Sequence, residues 1–346
     1  MSSDLFQKTF GTAPLRTGFT PGRVVLIGEH IDYLGGTVLP VALPVGIHAS
    51  LTPRTDGRVR VASESFEGVA ERNLSEAKSG HWSDYALGAA VEARSGADIA
   101  ITSTLPHGAG LSSSAALVVG LLSLLLPEIA PLEVARRAQS VEHDFLSVPC
   151  GIMDQVAVAV GRPTEDGRGE AVRLDTRDLT AETLPLLPGH RIAVLHSGHR
   201  RELSEGRYAE RRAECEAAAK ALGVTHLAHA AREAAEALPE PLRSRAVHAV
   251  SEQYRVQAAA AALRDGDART LGHLLLDGHA SLRHGFDCTV PATDALVETA
   301  TLHGALGARQ TGGGWGGAVV ALVEDAGYDS WLAAVLRAQP DAWSVL

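Results

Sequence analysis

Apolar positions along the chain follow two rhythms, one of period two and one near 3.6, and the two are unevenly distributed. In the first half, residues 98–103 alternate with Ile99 and Ile101 on one face, and residues 58–62 do the same with Val59 and Val61. Both stretches read as strands. Residues 24–27 are continuously apolar, the mark of a buried strand, and 37–43 reads as another. Three stretches have helical length: 82–93, with Trp82 and Tyr85 on one face, 115–126, mostly apolar, and 132–146, opened by Pro131. Short strands are expected at 172–174 and 191–195, on either side of a proline-containing connector at 183–189. Beyond it, Ala- and Arg-rich segments predict helices at 203–222, 226–238, 242–264, 268–283 and 292–302, before a last strand at 318–323. Residues 1–17 read as a lead-in anchored by Leu5, Phe6 and Phe10. The pattern places a domain boundary near residue 183, with strands and helices mixed before it, helices after it and mixed structure again at the end.

Chemistry concentrates where glycines interrupt this pattern. After the strand at 98–103 comes Gly108-Ala109-Gly110-Leu111-Ser112-Ser113-Ser114, leading straight into the apolar helix. Gly108 and Gly110 allow positive φ and close approach of a ligand to the backbone. Ser112 or Ser113 can cap the helix, whose first free N–H groups form an anion site. A serine hydroxyl there can also serve a hard cation. Another polar cluster, Glu29, His30 and Asp32, follows the buried strand at 24–27 and precedes Gly35-Gly36. Asp154 stands between Met153 and Val156, where a buried carboxylate must be paired, functional or a helix cap. Residues 312–317 are glycine except Trp315, which suits a tight loop pressed against other structure. Trp82 and Tyr85 suit either a core face or a base-stacking surface. The histidines are scattered, and His196, His199, His273, His279 and His284 read as surface or helix-end residues.

Composition narrows the field. A formal charge of −10 argues against a nucleic-acid partner. No apolar run reaches membrane-spanning length, so no membrane association is expected. The first residues lack a basic start followed by an apolar core, and Cys150, Cys215 and Cys288 form no CxxC pair, which together suggest a reducing cytoplasm. The only lysines are Lys8, Lys78 and Lys220, none after a glycine loop. A Walker A loop is therefore absent, and phosphate handling would fall to arginine, Mg²⁺ and helix dipoles.

Taken in order, the glycine-marked segments resemble the motifs of the GHMP small-molecule kinases, and within them the galactokinase branch. Pro21-Gly22-Arg23-Val24, Gly28-Glu29-His30 and Asp32-Tyr33 are similar to its signature. The loop from Gly108 to Ala115 is similar to its phosphate loop, and Pro149-Cys150-Gly151-Ile152-Met153-Asp154-Gln155 to its catalytic-aspartate segment. Thr311-Gly312-Gly313-Gly314-Trp315-Gly316-Gly317 resembles the third motif.

The resemblance implies a GHMP kinase fold of the α+β class, with an α/β-like N-terminal domain over residues 1–182, a helix-rich α+β C-terminal domain over 183–346 and its active site in the interdomain cleft. It implies transfer of the γ-phosphoryl group of ATP to a sugar C1 hydroxyl, galactose above all, with Mg²⁺ as cofactor and no obligate protein partner. On it, Asp154 is the base and Arg23 its partner. Ser114 and Glu142 are Mg²⁺ ligands. Gly108, Ala109, Gly110, Leu111, Ser112, Ser113 and Ser114 cradle the phosphates, with Trp82 and Tyr85 on the adenine side. Glu29, His30, Asp32, Gly151 and Tyr208 bind the sugar. The chain departs from the pattern at Val25, Ile31 and Leu34, where Asn, Thr and Asn are usual, at Gln310 and Trp315 in the third motif, and at Arg201, where a His is common. These departures leave open a kinase for another sugar, such as arabinose or galacturonate, with Arg201 as a cation for a uronate. A sensor that binds sugar without turnover is the remaining alternative.

Overall fold

The computed structural model describes residues 1–106, 108–148, 150–163, 168–199 and 204–346. His107, Arg201 and the first residue of the helix expected at 203–222 lie outside them. Two compact units emerge, and neither is continuous in sequence. The first comprises Met1–Arg23, Leu43–Pro106 and Ser112–Gly161; the second comprises Val24–Ala42, His107–Leu111 and Arg162–Leu346. Two long strands, β1 (Arg16–Ile27) and β2 (Thr37–Arg54), pair with each other, and each contributes a part to both units. The proposed division at residue 182 is thus not the one the packing follows, and it would cut through a strand, Ala181–Pro185.

In the first unit the lead-in expected at residues 1–17 opens with a helix, α1 (Ser2–Phe10). Phe6 is buried, and Gly11 closes the helix with φ +77°. Strands β3 (Arg58–Ser63) and β4 (Phe66–Asn73) form an antiparallel hairpin. Helix α2 (Asp84–Ala93) makes the crossover to β5 (Gly96–Ser103), which pairs parallel to β3 and antiparallel to β2. A parallel pair needs such a crossover. Val59, Val61, Ile99 and Ile101 are buried, as the alternation predicts. Helices α3 (Ser113–Leu125), α4 (Pro131–Ser140) and α5 (Met153–Val160) pack together, α3 supplying Ala115, Val118, Leu121 and Leu122 to the core. The helix expected over 132–146 ends at Ser140 and continues as one π-helical turn, Val141–Phe145. Such turns often mark functional positions.

In the second unit β6 (Glu170–Asp175) pairs with the start of β2, Thr37 opposite Asp175 and Val41 opposite Ala171. It turns back into β7 (Ala181–Pro185), so much of the expected connector is strand. Proline is tolerated there because β7 is an edge strand. β8 (His190–His196) leads to α6 (Ser204–Leu222). The helix expected at 226–238 is only a 3₁₀ turn, Leu227–His229, and α7 (Arg232–Glu236), because Ala230 and Ala231 are extended. Helix α8 (Leu242–Asp265) then precedes α9 (Ala268–Ala280), which continues as a π-helical turn, Ser281–Phe286. After α10 (Pro291–Leu302) come β9 (Gly307–Gln310), β10 (Ala318–Glu324), α11 (Tyr328–Ala338) and β11 (Trp343–Ser344). The sheet runs β11-β8-β10-β9, all antiparallel. Leu195, Val319 and Ala321 on the sheet meet Leu296 of α10 and Trp331 and Val335 of α11 in one core. His196 is buried rather than superficial, and His279, at the end of α9 as expected, is buried as well; it lies 3.2 Å from the Asp294 carboxylate, and burial lowers its pKa to about 4. Among the described residues no helix is long and apolar enough to cross a membrane.

Candidate active site

Within the first unit, Arg23 comes from β1 and Asp154 from the first turn of α5. Arg23 donates from Nε to Asp154 Oδ1 at 2.7 Å and from Nη2 to Oδ2 at 2.5 Å, a bidentate pair. A guanidinium matches a carboxylate best in this form. Ser112 Oγ donates to the same Oδ2 at 2.6 Å. That bond explains why Ser112, although it stands at the N-cap of α3, makes no side-chain cap. Its φ of +60° is left-handed, and its hydroxyl goes to Asp154 rather than to the helix it precedes. Three donors thus hold one carboxylate, and the Asp154 side chain stays 29% accessible while Arg23 is nearly buried. A fixed yet reachable carboxylate is what a general base requires.

The π-helical turn after α4 places Glu142 beside this group. Its carboxylate is buried, accepting from Gln155 Nε2 at 3.1 Å and Ser114 Oγ at 3.3 Å. Burial pushes its pKa up to about 7, with the Asp154 charge adding in the same direction. The charged form of such a carboxyl is costly without a cation. A hydroxyl and a carboxylate are hard oxygen donors, so Ser114 and Glu142 fit Mg²⁺. Ser113 is exposed at the start of α3. Gly151 lies three residues before Asp154 and is buried. Trp82, just before α2, stacks on Phe66 at 4.6 Å and an interplanar angle of 3°, while Tyr85 is half-buried on the helix. Phe66, a partner that sequence reasoning missed, keeps much of its own surface exposed.

In the second unit, Gly108 and Gly110 both take φ of +72°, the backbone expected for a phosphate loop, and Ala109 and Leu111 are buried. The sugar-loop candidates form their own cluster. His30 takes φ +61°, and its Nδ1 lies 3.1 Å from Tyr33 Oη. Its ring meets Phe286 at 4.5 Å, Tyr208 at 5.4 Å and Trp315 at 6.3 Å. Asp32 is half-buried, its carbonyl oxygen accepting from Thr176 Oγ1 at 2.8 Å. Glu29 is buried, its carbonyl oxygen 3.2 Å from His248 Nε2 and its carboxylate paired with Arg309. The glycine-rich third motif is a tight loop, as expected: Trp315 N–H donates to Cys288 O at 2.7 Å. Phe286, His248 and Arg309 went unrecognised in the sequence. Arg309 left a trace, a lone charge in the otherwise apolar and glycine-rich stretch 304–308 and its continuation.

Comparison with known proteins then fits this geometry. A galactokinase galactose-binding signature matches residues 4–53, a GHMP kinase N-terminal domain matches 70–162 and a GHMP kinase C-terminal domain matches 259–338. A galactokinase from Streptomyces coelicolor is 40% identical over 98% of this chain and 91% of its own length. The chain belongs to the galactokinase family of GHMP kinases. A second galactokinase, from Roseiflexus sp., is 39% identical over 97% of the chain and 90% of its own. The structure of Lactococcus lactis galactokinase complexed with galactose superposes with a TM-score of 0.91 at 31% identity, covering 99% of this chain and 96% of that one. Methanococcus jannaschii mevalonate kinase, at 17% identity and a TM-score of 0.70, shares the fold. Against the galactokinase pattern, the departures Val25, Ile31 and Leu34 are all buried, where an Asn or Thr would need partners of its own. Gln310 is also buried and satisfied, accepting from Thr293 Oγ1 and donating to Cys288 O, each at 3.0 Å.

Proposed function

We propose that this protein transfers the γ-phosphoryl group of ATP to the C1 hydroxyl of galactose. The observation that carries the reading is the bidentate Arg23–Asp154 pair with Ser112 as third donor, in a chain of galactokinase ancestry. Phosphoryl transfer needs positioning and charge neutralisation more than covalent chemistry. Asp154 takes the proton of the attacking hydroxyl. Arg23 keeps the carboxylate aimed and stabilises negative charge as it develops on the transferring group. Ser114 and Glu142 would hold Mg²⁺, which when bound would neutralise phosphate charge. The amides from Gly108 to Ser114 receive the phosphates at the start of α3, and Trp82 and Tyr85 lie on the adenine side. Glu29, His30, Asp32, Gly151 and Tyr208 recognise the sugar, where an unmatched buried polar group makes the wrong hydroxyl pattern costly. Free cysteines among the described residues are compatible with work in the cytoplasm.

Galactose is favoured over another sugar such as arabinose because the departures Val25, Ile31 and Leu34 are core residues with no polar group to offer it, while the galacturonate reading rests on Arg201, outside the described residues. A sensor without turnover has no use for a triply held base. The test is ADP release with ATP, Mg²⁺ and a panel of galactose, 2-deoxygalactose, glucose, galactosamine, arabinose and galacturonate. Turnover of galactose is expected. Turnover of another sugar alone would keep the kinase and change the substrate, and sugar binding with no turnover would leave only the sensor.

A further inference from the structure

Arg309, on β9, is fully buried, with 0% of its side chain exposed. Its guanidinium bridges two carboxylates from different elements: Nη2 lies 2.5 Å from Glu29 Oε2, and Nη1 lies 2.8 Å from Glu252 Oε1 on α8. Glu252 is fully buried as well, and its Oε1 also accepts the Gly28 N–H at 2.8 Å. Its Oε2 accepts from Arg255 Nε at 2.7 Å. The charges therefore alternate along one row, Glu29, Arg309, Glu252, Arg255. Space for the guanidinium is left by α9, where a Cβ at Gly278 would come within 2.3 Å of Arg309 Nη1 and 2.9 Å of Cζ. The main chain of Glu29 is held separately, its carbonyl oxygen meeting His248 Nε2.

A buried row of ions is a poor device for stability, since apolar residues of equal volume serve as well or better. Its value lies in direction. We propose that Arg309 is a positioning residue for sugar recognition, holding the Glu29 carboxylate in one orientation while Glu252 holds Arg309. The inference rests on the reading of Glu29 as a sugar-binding residue. A carboxylate fixed before the ligand arrives loses little freedom on binding and accepts from a hydroxyl in one configuration only. Lysine would not substitute, because one point charge cannot span two carboxylates as a planar fork does.

Steady-state kinetics on the full chain tests the proposal with Arg309→Lys, Gly278→Ala and Glu29→Gln, and with Arg309→Lys combined with Glu29→Gln. Galactose, glucose, 2-deoxygalactose and ATP are varied in turn. Loss of a charged contact predicts that Arg309→Lys raises the KM for galactose about tenfold or more, with kcat and the KM for ATP within about threefold of wild type. Discrimination between galactose and glucose should narrow with it. In the Glu29→Gln background the same substitution should add little, because its effect runs through that carboxylate. Gly278→Ala keeps every charge yet displaces the guanidinium, and should shift galactose KM in the same direction. An unchanged galactose KM, or effects of Arg309→Lys and Glu29→Gln that multiply as independent losses, would overturn the proposal. Should Arg309→Lys fail to fold, Gly278→Ala decides by the same readouts. A wild-type chain that never turns over galactose would instead fail at the function itself, which the same assay shows first.

Discussion

At the scale of single residues, the proposed chemistry depends on how few donors serve how many demands. Asp154 receives two bonds from Arg23 and one from Ser112. Asp154→Asn removes the proton acceptor while keeping the shape, so kcat should fall by about a thousandfold, with galactose affinity by calorimetry changed little. Ser112→Ala removes one of three donors and should lower kcat about tenfold, with the KM for galactose hardly moved. Glu142→Gln removes the charge that fits a cation and should raise the Mg²⁺ concentration needed for half-maximal ADP release. Asp154 and Arg23 stood out because they sit in long ordered motifs, whereas Glu142 lies outside those motifs and was named only through the family resemblance. Ser112 was read as a helix cap or, through the resemblance, as part of the phosphate loop, since a serine before an apolar run looks the same whether its hydroxyl turns inward or away. Only the contact with Asp154, 42 residues along the chain, decides between the two.

Elements follow a coarser logic, and the apolar rhythm reads them well where one face is buried. Strands β3 and β5 and helix α3 stand where the pattern put them, because Val61, Ile99 and Leu121 all go to the core. Leu121→Ala in α3 should therefore cost about 2–5 kcal/mol in denaturant unfolding, with the fold retained. The rhythm fails where propensity and packing diverge. Helix α7 is far shorter than its alanines suggested, and the exposed hairpin strand β4 left no alternation to find. The π-helical turn at Val141–Phe145, which carries Glu142, was read as a plain helix end, and the one at Ser281–Phe286 runs past the expected helix end at residue 283 to carry Phe286. A single extra residue in a turn leaves no mark in composition.

Across the whole molecule, buried ionisable groups set how stability responds to pH. Burial lowers the His248 pKa to about 4 from 6.5, with Arg255 and Arg309 acting the same way and Glu252 opposing. The folded ring is therefore neutral, with Nε2 donating to the Glu29 carbonyl and Nδ1 accepting from Ser281 Oγ at 2.8 Å. Below pH 6.5 the unfolded chain takes up a proton that the folded chain refuses until about pH 4. Stability from this group is thus present above pH 6.5 and is lost as pH falls toward 4. His248→Gln should flatten the acid side of the stability curve measured by thermal melting across that window.

The sequence by itself determined the family and the α+β class, and it nominated the residues proposed for the phosphoryl-transfer chemistry. It could do so because glycine loops, paired polar residues and apolar periods are local constraints that ligands and cores impose directly on residue type. The tertiary structure alone decided which partner each polar group takes. Arg309 meets Glu29 and Glu252 across sequence separations of 280 and 57 residues, counted from their numbers, and no local pattern encodes such a meeting. The two units are likewise assembled from interleaved segments, because β1 and β2 each serve both and a strand's pairing is set by its neighbours in space rather than along the chain.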